Sequence, residues 1–558
     1  MQTRRLVLVL TGIAVATIVV IGVLVVVLVA GGGDSKGSSG TPKESPGTQT
    51  PSLPERVQGE LRLVGGDPIT LDPACASDVA SAEYIVEIYS GLVSFDKDLK
   101  MVPDIAQSWD VSPDGTVYTF HLRSNALFHD SSRRVTAADF KFSMERALNP
   151  RTQSTVGEVY LDDIVGAKEF INGKAKEVSG IKAKDDNTLE ITIDQPKPYF
   201  LDKLTYPTAY VVDRNQVGDS TCFKGTDWTR NPNATGPFKL KEWALGERIE
   251  LEPNSNYYLD PKPSLARVTY VLSGSPLIMY ENNEVDISPV GINDIERIRD
   301  PNEPLHAQFV ESDSLNTFYI GFNVKKPPFD DPNVRKALAM ATDKELLASN
   351  ILKALVVPAK GILPPNMPGY NAGLQGLPYD PDQALQLLDQ AGGPNVLKDA
   401  VLLTSGQGAT AGPILDALTA MWKENLKLGF DIQIQAEEFG LFLRDLDEGS
   451  FQMFDLGWVA DYPDPQNFLD IKLHSSSANN ETNYANPQVD SLLEQARTEK
   501  DQDRRIKLYQ QAEELIVQDS PWIPLYHGKS NALIKPYVHG YTLTPFVIPN
   551  LRYVSLSR

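Results

Sequence analysis

Residues 454–468 read FDLGWVADYPDPQNF. Leu456, Trp458 and Val459 predict a buried strand, which the chain leaves abruptly at Asp461-Tyr462-Pro463-Asp464-Pro465. Proline fixes φ and has no N–H, so two of them exclude a continuing helix or a central strand. A carboxylate beside two large aromatics at the end of an apolar strand suits a buried cation such as an ammonium group. The acid supplies the countercharge and the ring faces add cation–π attraction. Two other readings of Asp461 stand beside this one. It caps the following turn, or Asp461, Asp464 and Asp470 hold calcium, although the glycine and terminal glutamate of a calcium loop are missing.

Helix and strand signals alternate around this stretch. Thr116–Arg123 places Tyr118, Phe120 and Leu122 on one side, and Leu189, Ile191 and Ile193 repeat the pattern, predicting strands. Thr136 with Asp139 resembles a capping box, and Phe140, Met144 and Ala147 follow at helical spacing. Asp331-Pro332, Asp380-Pro381 and Asn486-Pro487 each set a capping side chain before a proline at the first helical position. Gly392-Gly393 stops the helix that Asp380 begins. Residues 55–558 thus read as α/β structure, with helices covering mixed sheets.

Residues 1–54 differ in kind. Arg4 and Arg5 precede Leu6–Ala30, which contains no charged residue. As a helix this run spans about 37 Å, more than the roughly 30 Å hydrocarbon core of a bilayer. It also exceeds the roughly 7–15 apolar residues of a cleavable signal. The arginines place residues 1–5 in the cytoplasm and the remainder outside, which predicts a single-pass cell-membrane protein. Leu28-Val29-Ala30 resembles the start of a lipoprotein cleavage box, but Gly31 stands where the lipidated cysteine belongs. The helix at 6–30 is therefore the expected anchor. Gly, Ser, Thr and Pro dominate Gly31–Pro54, which predicts a flexible tether. In an oxidising compartment Cys75 and Cys222 can form a disulfide; the alternative is two buried free thiols.

The 558 residues carry a net charge of −21, which argues against a nucleic-acid partner. There is no P-loop, no H-E-x-x-H and no G-x-S-x-G, and the six histidines are never paired at ligand spacing. Neither a metal site nor a cofactor is expected.

Segments along nearly all of residues 55–558 resemble the peptide/nickel-type solute-binding proteins of bacterial ABC importers, the oligopeptide- and dipeptide-binding group. The resemblance is carried by YSGLVSF at 89–95, PDIAQSW at 103–109, SPDGTVYTFHLR at 112–123 and FHDSSRRVTAADFKFSMERAL at 128–148. It continues with TGPFKLKEW at 235–243, FNVKKPPFDDPNVRKALA at 322–339, GWVADYPDPQNF at 457–468 and PWIPLY at 521–526. It implies a two-lobed, periplasmic-binding-protein-like (class II) fold of three non-contiguous domains. Residues 55–95, 206–309 and 525–558 would form lobe I, residues 96–205 an inserted domain, and residues 310–524 lobe II. A monomer would capture a peptide between the lobes as an added strand and deliver it to a separate permease–ATPase, without catalysis. The same scaffold also serves nickel chelates, haem, sugars or opines, and an extracellular sensor or adhesin is a further alternative.

Residue by residue, the resemblance makes Asp461 the partner of the peptide α-ammonium, with Trp458 and Tyr462 excluding solvent around it. Gly457, Trp458 and Val459 match the strand that pairs with the peptide backbone. Asp78, Val79 and Ala80, after the Leu71-Asp72-Pro73 turn, would line the opposite edge. One position departs from the pattern. Some members place an arginine for the peptide C-terminus two residues before the matching glycine, but Asp455 stands here, leaving Arg444 as the nearby substitute.

Overall fold

The computed structural model describes residues 54–131, 133–406 and 412–557. The expected membrane span at 6–30, and all of the tether but its last residue, lie outside the described residues. Among the described residues no helix is long and apolar enough to cross a membrane.

The local signals become the expected elements. Strand Val117–Leu122 buries Tyr118, Phe120 and Leu122 on alternate positions. Helix Ala137–Leu148 starts at a capping box in which the Thr136 hydroxyl and backbone N–H both donate to Asp139, at 2.8 and 3.0 Å. That helix buries Phe140, Met144 and Ala147. Asp331, Asp380 and Asn486 cap helices Pro332–Met340, Pro381–Gln390 and Pro487–Thr498. The Gly393 N–H returns to the Leu388 carbonyl at 2.8 Å with φ +83°, a conformation open to glycine, and so closes the second of these helices.

Two sheets organise the chain. A four-stranded sheet, in the order Ala106–Val111, Val117–Leu122, Thr188–Thr192, Ile181–Asp185, lies within residues 96–205. The other is mixed and far larger. One end of it runs Gln433–Glu437, Val401–Ser405, Met453–Val459 and Asn316–Phe322. The other end runs Ile287–Ser288, Glu60–Val64, Arg267–Val271, Arg248–Pro253 and Phe238–Ala244.

A single strand joins the two ends. Trp522–Ile534 pairs through its first half with Asn316–Phe322 and through its second half with Phe309–Asp313 and Ile287–Ser288. Where it passes from one set of partners to the other, a compact polar cluster forms. Gly528 N–H donates to Asn316 Oδ1 at 2.6 Å, His527 Nδ1 lies 3.0 Å from the Asn316 carbonyl, and the Ser314 and Ser530 hydroxyls meet at 2.7 Å. Burial pushes the His527 imidazole down to about 4, which keeps it neutral there.

Cys75 and Cys222 are joined, so the disulfide reading holds and the free-thiol alternative does not. The bridge sits beside a buried Arg146–Asp72 pair, at 2.9 and 2.5 Å, which ties the Leu71-Asp72-Pro73 turn to helix Ala137–Leu148. It closes a loop of 147 residues, for which chain entropy sets a gain of up to about 5 kcal/mol. Denatured protein should therefore show no titratable thiol without reductant. Reduction should lower the unfolding free energy, followed by urea titration, by a few kcal/mol; two free thiols in the unreduced protein would overturn the bridge.

Candidate functional site

The strand at 454–459 is less buried than its sequence predicts. It runs from Met453 to Val459, and only Met453 and Phe454 are fully buried; Asp455 to Val459 are intermediate. The cause is unequal pairing. Asn316–Phe322 pairs along its whole length, but Val401–Ser405 pairs only with Met453 and Phe454. From Asp455 onward one edge has no strand beside it among the described residues, so the apolar side chains there lack a strand to cover them on that side.

The open edge ends at Asp461, whose surroundings are polar but carry no formal positive charge in contact. Asn467 Nδ2 donates to Asp461 Oδ2 at 2.8 Å, and the Tyr160 hydroxyl donates to the same oxygen. Oδ1 accepts no hydrogen bond among the described residues. The Asn467 side-chain oxygen also receives the Asp461 N–H and the Trp458 indole N–H, each at 3.1 Å. One amide therefore fixes both the backbone and the carboxylate of Asp461. Burial pushes the Asp461 carboxyl up to about 6; the bonds from Asn467 and Tyr160 and the more distant Lys472 offset only part of that.

The other two acids of this segment are already neutralised. Asp464 receives both guanidinium arms of the buried Arg505, at 2.7 and 2.6 Å, and Asp470 those of Arg497, both at 2.7 Å. Asp464 Oδ1 also accepts the Gln466 N–H, so Asp464 caps the turn and Asp461 does not. A calcium site made of the three acids is likewise overturned, because arginines occupy two of them.

Tyr160 brings the opposite wall to Asp461. It stacks on Tyr206 with ring centroids 3.7 Å apart, and the Tyr206 hydroxyl donates to the Ala76 carbonyl at 2.9 Å. A relay thus runs from the loop at 72–78, through two stacked rings, to Asp461. Burial, then the charges of Asp461 and Asp78, hold the Tyr206 hydroxyl far above its usual value. Asp78 caps helix Val79–Ile88 through a 2.8 Å bond from the Ser81 N–H, and Val79 and Ala80 form the first turn. Its Oδ2 is buried without a partner.

Tyr462 is fully buried and donates to Gln466 Oε1 at 2.5 Å, while the Lys472 ammonium lies 4.4 Å from the Trp458 ring centroid. Arg444 sits apart from this group: its side chain is 58% exposed and pairs with Asp445 on its own helix, Phe439–Asp447. Sequence reasoning missed Tyr160, Tyr206 and Asn467. Asn467 lay within the opening stretch, but neither tyrosine has any local mark.

The chain matches the family described as bacterial extracellular solute-binding proteins, family 5 Middle, over residues 100–480. It belongs to that family. It is similar to the periplasmic oligopeptide-binding protein OppA of Escherichia coli (strain K12), with 30% identity over 86% of this chain and 89% of the other. It is 32% identical to the probable deoxycholate-binding periplasmic protein YgiS of the same strain, with the same coverage. The structure of the Escherichia coli murein tripeptide binding protein MppA superposes with a TM-score of 0.80 at 29% identity, covering 89% of this chain and 98% of that one. The unliganded open form of MppA gives 0.67 at the same identity, over 89% and 97%. This family 5 protein therefore resembles the first of these two structures more than the second.

Titration of Asp461 can be read from stability. Its pKa is raised from 3.8 to about 6, so the native state binds a proton that the unfolded chain releases. The associated stability is present at low pH and lost as pH rises from about 4 to about 6. Asparagine mimics the protonated form at every pH. Ligand-free Asp461→Asn should match wild type near pH 4 and exceed it above pH 7 by up to about 3 kcal/mol. A variant less stable than wild type at pH 7.5 in urea titrations would contradict this.

Proposed function

We propose that this protein captures peptides between its lobes and delivers them to a separate ABC permease–ATPase. One observation carries the reading: a strand edge, Asp455 to Val459, that is open among the described residues and ends beside a half-buried carboxylate with no cation in contact among them. An extended peptide satisfies both needs together. Its main chain adds a strand to the edge, and its α-ammonium supplies the charge that Arg505 and Arg497 supply to Asp464 and Asp470. Gly457, Trp458 and Val459 would pair with the peptide backbone, Asp461 would bind its amino terminus, and Trp458 and Tyr462 would exclude water. Asp78, Val79 and Ala80 would form the facing wall.

Family membership and the names of OppA and MppA support the same reading. A steroid carboxylate, as the name of YgiS suggests for that relative, would meet Asp461 and Asp455 as like charges. In the proposed cycle no bond is made or broken, so the protein acts as a receptor and not as an enzyme. The helix at 6–30 would hold it at the extracytoplasmic face of the membrane, with residues 31–54 as its tether.

Ammonium capture is tested by a double-mutant cycle in calorimetry. Removing one partner of a buried ion pair costs about 3–5 kcal/mol, or roughly two to four decades of affinity. Asp461→Asn should lose that much for a free-amine peptide. The N-acetylated peptide should bind wild type poorly and lose far less on mutation. Acetylation that leaves wild-type affinity intact would sink the ammonium assignment.

Anchoring is tested by fractionation. Full-length protein should remain with membranes without lipid modification, and the chain from Glu55 onward should be soluble and bind the same peptides. Most of the native protein recovered free in the medium, cleaved near Ala30, would contradict the anchor.

A further inference from the structure

The open edge has a second acid at its other end. Asp455 is half-buried in strand Met453–Val459, opposite Ile320 in the antiparallel register. Its Oδ1 is sealed from solvent without a hydrogen-bond partner, and no ion pair reaches it among the described residues. Close to it are the Thr404 hydroxyl and the ring of Tyr526, which stacks on Phe318 at 4.9 Å. Burial pushes its carboxyl up to about 6, and the Thr404 hydroxyl offsets only part of that, so it is ionised at pH 7.5. An ionised acid with a dry, unbonded oxygen is costly unless a cation arrives. The described residues supply none. The two stacked aromatic rings nearby favour a cation as well.

Geometry fixes where on a ligand that cation would lie. Asp455 and Val459 are four residues apart, about 13 Å along a strand. A peptide anchored at Asp461 and extended along the edge brings its third to fifth residues past Asp455. We infer that Asp455 is a specificity-determining residue, which selects a lysine- or arginine-type side chain about three to five positions from the peptide's amino terminus. The same acid disfavours a free carboxylate at that point, so peptides ending there bind less well than amidated or longer ones. This inference rests on the peptide reading above.

The test uses C-terminally amidated penta-alanine carrying lysine or norleucine at each of positions two to five, titrated calorimetrically at pH 7.5. The two side chains have nearly the same apolar length and differ in charge. Wild type should prefer lysine over norleucine at least tenfold at one of positions three to five. In Asp455→Asn that ratio should fall to within about twofold. If the variant does not fold, the wild-type ratio alone decides. Peptides that bind with no lysine preference, or with a preference that survives Asp455→Asn, overturn the subsite and leave the peptide reading standing. No binding by any peptide of the set overturns both.

Discussion

One strand belongs to both halves of this molecule. Trp522–Ile534 hydrogen-bonds first to Asn316–Phe322 and then to Phe309–Asp313 and Ile287–Ser288. Backbone pairing of this kind is obligatory for buried strands, so neither half completes its sheet without it. Any movement of one half against the other must be absorbed where the partners change, around Asn316, His527 and Gly528. There the ladder gives way to side-chain hydrogen bonds, and the histidine among them stays neutral. Bonds between neutral groups are cheaper to rearrange than a buried ion pair would be.

The same sheet leaves its other defect next to the opposite wall. Among the described residues Val401–Ser405 stops pairing after Phe454, which leaves the strand edge without a neighbour for the five residues to Val459. Exposed edges invite pairing with another chain. Tyr160 and Tyr206 reach across from the 72–78 loop and seal the end of the edge at Asp461. Aromatic stacking and one hydroxyl thus link Asp461 to the 72–78 loop. Among the described residues the second oxygen of Asp461 accepts no hydrogen bond, and under the proposed reading it is the one that faces the ligand.

Charge distribution separates the structural acids from the receptive ones. Asp464 and Asp470 hold arginines in two-armed pairs that pin helices Gln502–Asp519 and Pro487–Thr498 behind the site. Asp461 and Asp455 have only neutral neighbours in contact, and burial raises both carboxyls to about 6. The two paired acids thus carry the packing of these helices, while the two half-buried acids take no part in it.

Much of the fold was legible because its signals are local. A capping side chain finds its N–H within three residues, so the starts at Thr136, Asp331, Asp380 and Asn486 could be placed from the sequence. The acid, the aromatics and the prolines at 458–465 were likewise adjacent, which marked Asp461 before any contact was known. The sequence could not say which of its three acids would be left uncompensated, because Asp461, Asp464 and Asp470 look alike in the chain. That was decided by Arg505, 41 residues from Asp464, by Arg497, 27 from Asp470, and by Tyr160, 301 from Asp461. The bare edge was hidden for the same reason: a strand's pairing depends on where its neighbour ends, and that neighbour is some fifty residues away in the chain. Local hydrogen bonding thus determined the elements and the candidate, and only the packing of distant segments decided which charge lacked a counter-ion and which edge lacked a neighbour among the described residues.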